Sequence, residues 1–139
     1  MTATYNYIWP QGADLTLGFR YLEGPEGEET AVDLTGYTAR MDIVHPDTKE
    51  VLFVFNTEEQ EDPDEIFVNA GGIGKVAIRV PRSLTLPPSN GQTPSPVYQA
   101  LQNGTTVFNY DIFLRNTSNL QTKIYGGTIR VEASHTLWR

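Results

Sequence analysis

The sequence predicts an all-β fold, specifically an antiparallel immunoglobulin-like β-sandwich of seven or eight strands. Apolar residues occupy every second position in at least five segments, which is the period of a strand with one buried and one exposed face. Turn-forming residues separate these segments, and no segment of useful length shows the apolar period of an amphipathic helix. A small closed barrel uses the same local signals and is the alternative architecture.

The clearest strands lie in the last third of the chain. Residues 108–115 and 124–133 alternate apolar and polar side chains, and residues 116–119 between them favour tight turns. We therefore predict a β-hairpin there. Gly126 and Gly127 inside its second strand permit a bulge or the close approach of a neighbouring backbone.

Four further strands are predicted in the first half of the chain. A strand at residues 5–8 ends before a Trp-Pro pair, and residues 15–21 and 37–43 alternate with period two. Residues 51–55 are apolar throughout, so we expect this strand to be buried on both faces or nearly so.

Two short strands and a long loop complete the predicted elements. The strands are expected at residues 66–68 and 76–80, and residues 83–86 are a candidate for one turn of helix. Residues 87–105 hold several prolines and few candidate core residues, so we predict a long proline-rich loop there. Within it, only residues 97–101 are candidates for regular structure.

The chain shows no internal repeat and no linker, so residues 1–139 are predicted to form a single β-sandwich domain. This length is sufficient to bury a hydrophobic core without disulfides. The residues that we expect in the core are Phe19, Met41, Ile78, Tyr110, Ile112 and Val131.

The composition excludes several kinds of site. There is no cysteine, which excludes disulfides, thiolate zinc sites and a thiol nucleophile. Residues 1–4 lack the basic and apolar pattern of a secretory signal, and no apolar stretch approaches the roughly 20 residues of a membrane span. We therefore expect a soluble protein with no membrane partner.

The formal net charge of -7 argues against a nucleic-acid partner, because phosphate binding requires clustered Lys and Arg. Of the 17 acidic residues, ten lie in residues 23–29 and 58–65. The remaining seven acids stand against 10 Lys and Arg, so the acidity belongs to two loops and not to the sheets.

Side chains suited to catalysis are scarce. The two histidines, His45 and His135, are far from any nucleophile motif, and His45 starts a predicted turn. We expect no enzymatic activity, no catalytic residue and no cofactor. Residues 58–65 cluster carboxylates that suit calcium, but they lack the spaced Asp, Asn and Gly of a cation-binding loop, so no metal is predicted.

Five arginines lie on the polar side of predicted strands. We expect them to pair across strands with Asp42, Asp111 and Glu132, each pair contributing a few tenths to about 1 kcal/mol. The alternative is an arginine-bearing surface that binds another protein. The five are Arg20, Arg40, Arg79, Arg115 and Arg130.

Short motifs over nearly the whole chain resemble a group of viral domains. The most specific is Asp33-Leu34-Thr35-Gly36-Tyr37, which precedes a predicted strand. The others are Leu15-Thr16-Leu17, the rest of residues 32–41, residues 74–78, Tyr110-Asp111-Ile112 and residues 125–131. Together they resemble the small β-sandwich domains of tailed-bacteriophage virions, in particular the N-terminal domain of phage baseplate upper proteins and related tail-fibre attachment domains.

The resemblance implies a structural virion protein of the tail, baseplate or tail-fibre attachment, assembled in the host cytoplasm. It also implies several copies in a symmetric assembly, with other virion proteins as partners. A capsid decoration protein is one alternative. A carbohydrate-binding module is another, and its aromatic side chains would form one exposed platform. Members usually lack a loop like that at residues 87–105, which makes this loop a candidate for the partner-specific element.

We expect assembly contacts at this loop and at one chain end. Trp9 and Trp138 are large apolar side chains near the termini, where burial normally requires a neighbouring chain. The predicted interface residues are Trp9, Pro88, Pro94, Pro96, Tyr98, Leu101 and Trp138.

Overall fold

The computed structural model describes residues 3–34, 36–56, 66–68 and 75–133. Within these ranges the chain forms eleven β-strands, a 3-10 helix and an α-helix. The strands are β1 (Ala3–Thr4), β2 (Tyr7–Pro10), β3 (Leu15–Arg20), β4 (Leu22–Glu23), β5 (Thr30–Ala31), β6 (Thr38–Val44), β7 (Val51–Asn56), β8 (Ile66–Val68), β9 (Lys75–Val80), β10 (Val107–Arg115) and β11 (Gln121–Glu132). The 3-10 helix (Arg82–Thr85) and helix α1 (Pro96–Gln102) lie between β9 and β10.

The larger sheet has six strands in the order β1-β11-β10-β6-β7, with β2 also paired to β11. Strand β10 lies at its centre and pairs antiparallel on both sides, so that Ile112 is opposite Tyr125 of β11 and Met41 of β6. The predicted hairpin at residues 108–115 and 124–133 is confirmed. In its turn, the Asn116 side-chain oxygen accepts a hydrogen bond from the Leu120 amide at 3.0 Å.

The smaller sheet has three antiparallel strands in the order β3-β9-β8, with Leu17 opposite Ile78. Strands β4 and β5 form a separate hairpin. Apolar side chains of the six-stranded sheet and of the three-stranded sheet meet in one core. The chain therefore folds as the predicted immunoglobulin-like β-sandwich. In the described ranges the two sheets share no strand, which distinguishes this fold from the closed barrel.

The core agrees with the sequence-based prediction. Met41, Ile78, Tyr110 and Ile112 are almost fully buried, and Val131 is 6% exposed. The side chain of Phe19 lies outside the described part of the chain. Each of the five confirmed residues lies on the inward side of a strand, as period-two alternation requires.

The N-terminal edge of the larger sheet is parallel, so the sandwich is not purely antiparallel. Both β1 and β2 run in the same direction as β11, with Ala3 opposite Tyr125 and Tyr7 opposite Ile129. The predicted strand at residues 5–8 is therefore displaced towards Pro10. An edge strand tolerates proline because it needs no backbone donor on its outer side.

Strand β7 ends the sheet on the other side. The prediction that residues 51–55 are buried on both faces is wrong, because Val51 is 47% and Val54 is 42% exposed. Leu52 is buried and Phe53 packs partly against the core. Helix α1 packs against β7, and the face of this strand that bears Val54 is open to solvent.

The predicted loop at residues 87–105 contains helix α1, in the place where residues 97–101 were candidates for regular structure. Ser95 caps this helix by accepting a hydrogen bond from the Tyr98 amide at 3.0 Å, and Pro96 takes the first helical position. Val97 and Ala100 are buried in the core, so the expectation of few core residues in this loop is corrected. The 3-10 helix agrees with the helical turn predicted at residues 83–86.

Candidate functional site

Residues 86–95, the proline segment, connect the 3-10 helix to α1 and are fixed at both ends. Leu86 at the start is 8% exposed and belongs to the buried residues. Ser95 at the end donates a hydrogen bond to the Leu84 carbonyl oxygen at 2.7 Å. Residues 89–93 between these anchors are exposed, and the Gln92 amide donates to the Ser89 carbonyl at 3.0 Å to close a turn.

A groove of about 400 Å³ runs along the proline segment. Leu86, Pro87 and Pro88 provide apolar lining, while Gln92 and Thr93 provide polar groups. This volume suits a small molecule or the anchoring side chain of a protein partner. The groove offers apolar contact and hydrogen bonds, and Arg82 is the ionisable residue in its lining.

The 3-10 helix beside the groove is fixed to the loop that joins β2 to β3. Thr85 is fully buried, its hydroxyl accepts from the Gly12 amide at 2.9 Å, and its carbonyl accepts from Gln11 Nε2 at 2.9 Å. The Arg82 amide donates to Asp14 Oδ1 at 2.8 Å. These bonds hold the proline segment at a set place beside the sandwich.

The structure places five of the predicted interface residues in or beside the proline segment. Pro88 and Pro94 are half-buried, and the Pro94 carbonyl accepts a hydrogen bond from the Gln99 side chain at 2.9 Å. Pro96 is exposed at the start of α1, where Tyr98 and Leu101 are half-buried. Leu101 packs against the core.

Trp9 is a core residue, and the prediction that it anchors an interface is wrong. Its side chain is fully buried on β2, and Nε1 donates to the Ala13 carbonyl oxygen at 2.7 Å. The parallel pairing of β2 with β11 lets the same chain supply the burial that was expected from a neighbour. Trp138 lies outside the described residues.

Tyrosines cluster at the N-terminal edge. The rings of Tyr5 and Tyr125 are 5.3 Å apart, and Tyr7 meets Tyr110 edge-on at 5.8 Å. The Tyr110 hydroxyl donates to the Tyr5 carbonyl oxygen at 2.8 Å, and burial raises the pKa of Tyr110 above its ordinary value. Among the aromatic side chains that the structure describes, only that of Tyr5 is exposed, so these side chains do not form an exposed platform.

The outward face of the larger sheet carries paired charges. Two of the five arginines pair with an acid two residues along the same strand, and Lys123 is the cross-strand partner of Asp111. For Arg40 and Arg130 the predicted cross-strand pairing with these acids is therefore corrected to pairing along one strand, because residues i and i+2 of a strand lie on the same face. The pairs are Arg40–Asp42 at 2.9 Å, Arg130–Glu132 at 2.9 Å and Lys123–Asp111 at 2.7 Å.

The described residues offer little for catalysis or metal binding. His45 lies in the turn after β6, where Nδ1 accepts from the Asp47 amide at 3.1 Å and Nε2 is 3.2 Å from the Thr105 hydroxyl. Across the described ranges, no group of three or more His, Asp or Glu is placed to hold a metal ion. His135 and residues 58–65 lie outside those ranges. No helix in the described part is long and apolar enough to cross a membrane.

Sequence reasoning missed the groove, because Leu84 and Leu86 line it only through the way the 3-10 helix packs. One local signal was present. Ser95 followed by Pro96 is a helix start, with a capping side chain and a proline at the first helical position. That signal would have placed α1 and limited the loop to the proline segment.

No family model matches the sequence, and no curated protein matches it. Solved structures that align over most of the chain include CopC from Methylosinus trichosporium OB3b, at 8% identity and a TM-score of 0.43, covering 99% of this chain and 89% of that chain. Murine CRIg aligns at 10% identity and a TM-score of 0.36, covering 94% and 92%. Dpr1 IG1 bound to DIP-eta IG1 aligns at 15% identity and a TM-score of 0.39, covering 92% and 89%. At these identities and TM-scores the likeness carries no argument about function.

Proposed function

We propose that this chain is a non-enzymatic structural protein of a tailed-bacteriophage virion, at the tail, baseplate or tail-fibre attachment, and that it acts through contacts with other virion proteins. The motifs quoted above support the virion assignment by resemblance. The structural observation that carries the contact role is the proline segment, which is exposed in the middle and fixed at both ends.

Fixed ends matter because binding costs conformational freedom. A free loop of this length loses entropy when it docks, whereas a segment held by Leu86 and Ser95 has already lost much of that entropy on folding. Its prolines restrict the backbone further. The adjoining groove accepts an apolar side chain of the partner, and Gln92 and Thr93 supply hydrogen bonds at its margin.

The virion setting suits contacts of this size. Several copies in a symmetric particle bind through repeated contacts, so each contact contributes to a combined affinity well above its own. A capsid decoration protein would use the same surface at a different place in the particle.

The carbohydrate-binding alternative gains no support. Such a module would present aromatic rings side by side at the surface. Trp9, Phe108 and Tyr110 are buried, and Tyr5 stands as a single exposed ring among the described residues. A role in protein contacts is therefore better supported than carbohydrate binding.

The test replaces Pro88, Gln92 and Thr93 by alanine in a phage that encodes the chain. These positions spare Ser95 and the core residues of α1, so the sandwich keeps its packing. The measurements are the copy number of the chain in purified particles and the melting temperature of the free protein. We expect incorporation to fall at least tenfold while the melting temperature changes by less than a few degrees.

The matched control replaces Glu26, Glu28 and Glu29 by alanine on the exposed segment between β4 and β5. This variant should enter particles normally. Normal incorporation of the proline-segment variant would refute the contact role. Purified particles that lack the wild-type chain would refute the virion assignment itself.

A further inference from the structure

The outward face of the larger sheet carries basic side chains around one aromatic ring. Phe113 on β10 is partly exposed and lies opposite Arg40 of β6 and Lys123 of β11. Arg115 is two residues further along β10, so it points to the same face as Phe113. Residues opposite each other in a sheet also share a face. Three bases therefore lie on three sides of the Phe113 ring.

Two acidic side chains lie on the fourth side of this ring. Asp111 of β10 is opposite Asp42 of β6. Asp42 accepts a hydrogen bond from Arg40 Nε at 2.9 Å. Asp111 pairs with Lys123 Nζ at 2.7 Å. Three bases and two acids leave one positive charge in excess in this group, although the chain as a whole carries a formal charge of -7.

Arg115 supplies the excess charge. The residues opposite it are Thr38 of β6 and Gln121 of β11, and both are neutral. Arg115 Nε donates to the Thr38 hydroxyl at 3.3 Å, which restrains the orientation of the guanidinium. A guanidinium is a planar fork of N–H donors that matches a carboxylate, and restraining it beforehand reduces the entropy lost when a ligand binds.

A cavity of about 70 Å³ lies among these side chains. Drug-sized ligands occupy pockets of about 300–1,000 Å³, so this cavity suits a group of a few atoms. Its lining combines two guanidinium side chains, a hydroxyl and an amide with an aromatic ring. The lining residues are Thr38, Ala39, Arg40, Phe113, Arg115 and Gln121.

We propose that this cavity binds a single carboxylate group, held by Arg40 and Arg115 beside the ring of Phe113. A carboxylate carries one negative charge, which matches the excess of one positive charge, and its flat shape fits a guanidinium fork. A phosphate monoester carries a charge of about -1.5 to -2 at neutral pH and would make the group negative. The cavity is separate from the proline segment, so the proposal does not depend on the virion role.

The carboxylate belongs either to a free small acid or to an acidic side chain of a partner protein. The test is an NMR titration of the isotope-labelled full-length chain with sodium acetate, with sodium chloride at the same ionic strength as the reference. We expect acetate to shift the amide signal of Phe113 and the Nε–H signals of Arg40 and Arg115. Saturation should fall in the millimolar range, because so small a ligand makes few contacts.

Two further ligands test the chemistry of the site. A glutamate blocked at its amino and carboxyl groups keeps only the side-chain carboxylate. If it binds several-fold more tightly than acetate, the site takes a protein side chain, whereas equal or weaker binding assigns it to a free small acid. Inorganic phosphate that binds more tightly than either ligand contradicts the match of charge and overturns the proposal.

Arg115→Gln removes the excess charge and keeps a polar side chain, and we expect it to weaken acetate binding at least fivefold. Arg130→Gln is the matched control on the same face. Arg130 pairs with Glu132 two residues along its strand at 2.9 Å, the arrangement that Arg40 also has, but it is outside the lining of the cavity. This control should bind acetate like the wild type, and both variants should melt within a few degrees of it.

Three results would overturn the carboxylate site. In the first, the wild-type chain shows the same shifts with sodium chloride as with acetate. In the second, Arg115→Gln binds acetate like the wild type. In the third, Arg130→Gln loses as much acetate binding as Arg115→Gln, which would show a general effect of charge on this face.

Discussion

The N-terminal edge, residues 5–10, and the proline segment, residues 86–95, differ in how the sandwich holds them. Both contain proline and both lie beside the sandwich. The N-terminal edge is held along its length, by pairing of β2 with β11, burial of Trp9 and a hydrogen bond from Tyr110 to the Tyr5 carbonyl. The proline segment is held at its two ends and leaves residues 89–93 exposed.

The difference comes from the surface that receives each segment. Strand β11 offers the N-terminal edge an open row of backbone groups and a glycine, Gly127, at the position where Tyr5 approaches most closely. Within the described part of the chain, residues 89–93 of the proline segment pair with no strand. An exposed segment that is nevertheless fixed is therefore the better candidate for a partner contact.

The largest effect is expected for Trp9→Ala. Removing a fully buried tryptophan leaves a cavity and should lower the free energy of unfolding by about 3–5 kcal/mol, as guanidinium chloride titration measures it. Pro88→Ala in the proline segment should change it by less than about 0.5 kcal/mol. A loss below about 1 kcal/mol for Trp9→Ala would contradict the burial of this side chain.

Gly127→Ala should separate the N-terminal edge from β11. A Cβ at this position collides with the Tyr5 carbonyl oxygen, and the backbone has a φ of 156°. Because that oxygen belongs to the backbone and cannot rotate away, we expect a loss of about 1–3 kcal/mol in the free energy of unfolding. Gly18→Ala is the matched control, since nothing lies within 4 Å of its Cβ position, and it should leave stability equal or higher by up to about 1 kcal/mol.

Ser95→Ala should release one end of the proline segment. The substitution removes the cap of α1 and the hydrogen bond to the Leu84 carbonyl, so we expect a loss of about 1 kcal/mol in the free energy of unfolding. Protease cleavage within residues 89–93 should become faster at the same time. Ser89→Ala is the control, and equal cleavage rates in the two variants would show that Ser95 does not anchor the segment.

Tyr110→Phe should weaken the N-terminal edge by about 0.5–1.5 kcal/mol, because it removes the hydrogen bond to the Tyr5 carbonyl. Burial raises the pKa of Tyr110 above its ordinary value of 10.0, so the folded state keeps the neutral phenol after the unfolded state has ionised. This contribution to stability is complete below pH 10 and falls as the pH rises above it. The Phe variant should lose stability less steeply above pH 10 in urea titrations, and parallel curves would contradict this assignment.

The sequence was sufficient to predict the features that depend on the local alternation of apolar and polar residues. Strands β10 and β11, and the burial of Ile112 and Val131, were predicted because period-two patterns specify which side chains share a face. The sandwich followed from the number of such segments and the turns between them.

The remaining features depend on contacts between distant parts of the chain. The burial of Trp9 depends on β2 pairing with a strand more than a hundred residues later, and the exposure of Val54 depends on its pointing to the outward face of the larger sheet, as its partner Asp42 does. No local sequence pattern predicts the burial of Trp9 or the exposure of Val54. The groove beside the proline segment was missed for the same reason, because it forms between that segment and the 3-10 helix, which packs against α1.

The position of β11 has a consequence for folding during synthesis. This strand is the last in the described part of the chain, yet it lies inside the larger sheet, between β10 and the N-terminal strands. While residues 121–132 are still within the ribosome, the N-terminal strands have no partner and Trp9 has no complete pocket. The nascent chain must therefore keep β1 and β2 unpaired until residues 121–132 have emerged, and this interval is when strand edges are open to aggregation and to chaperones.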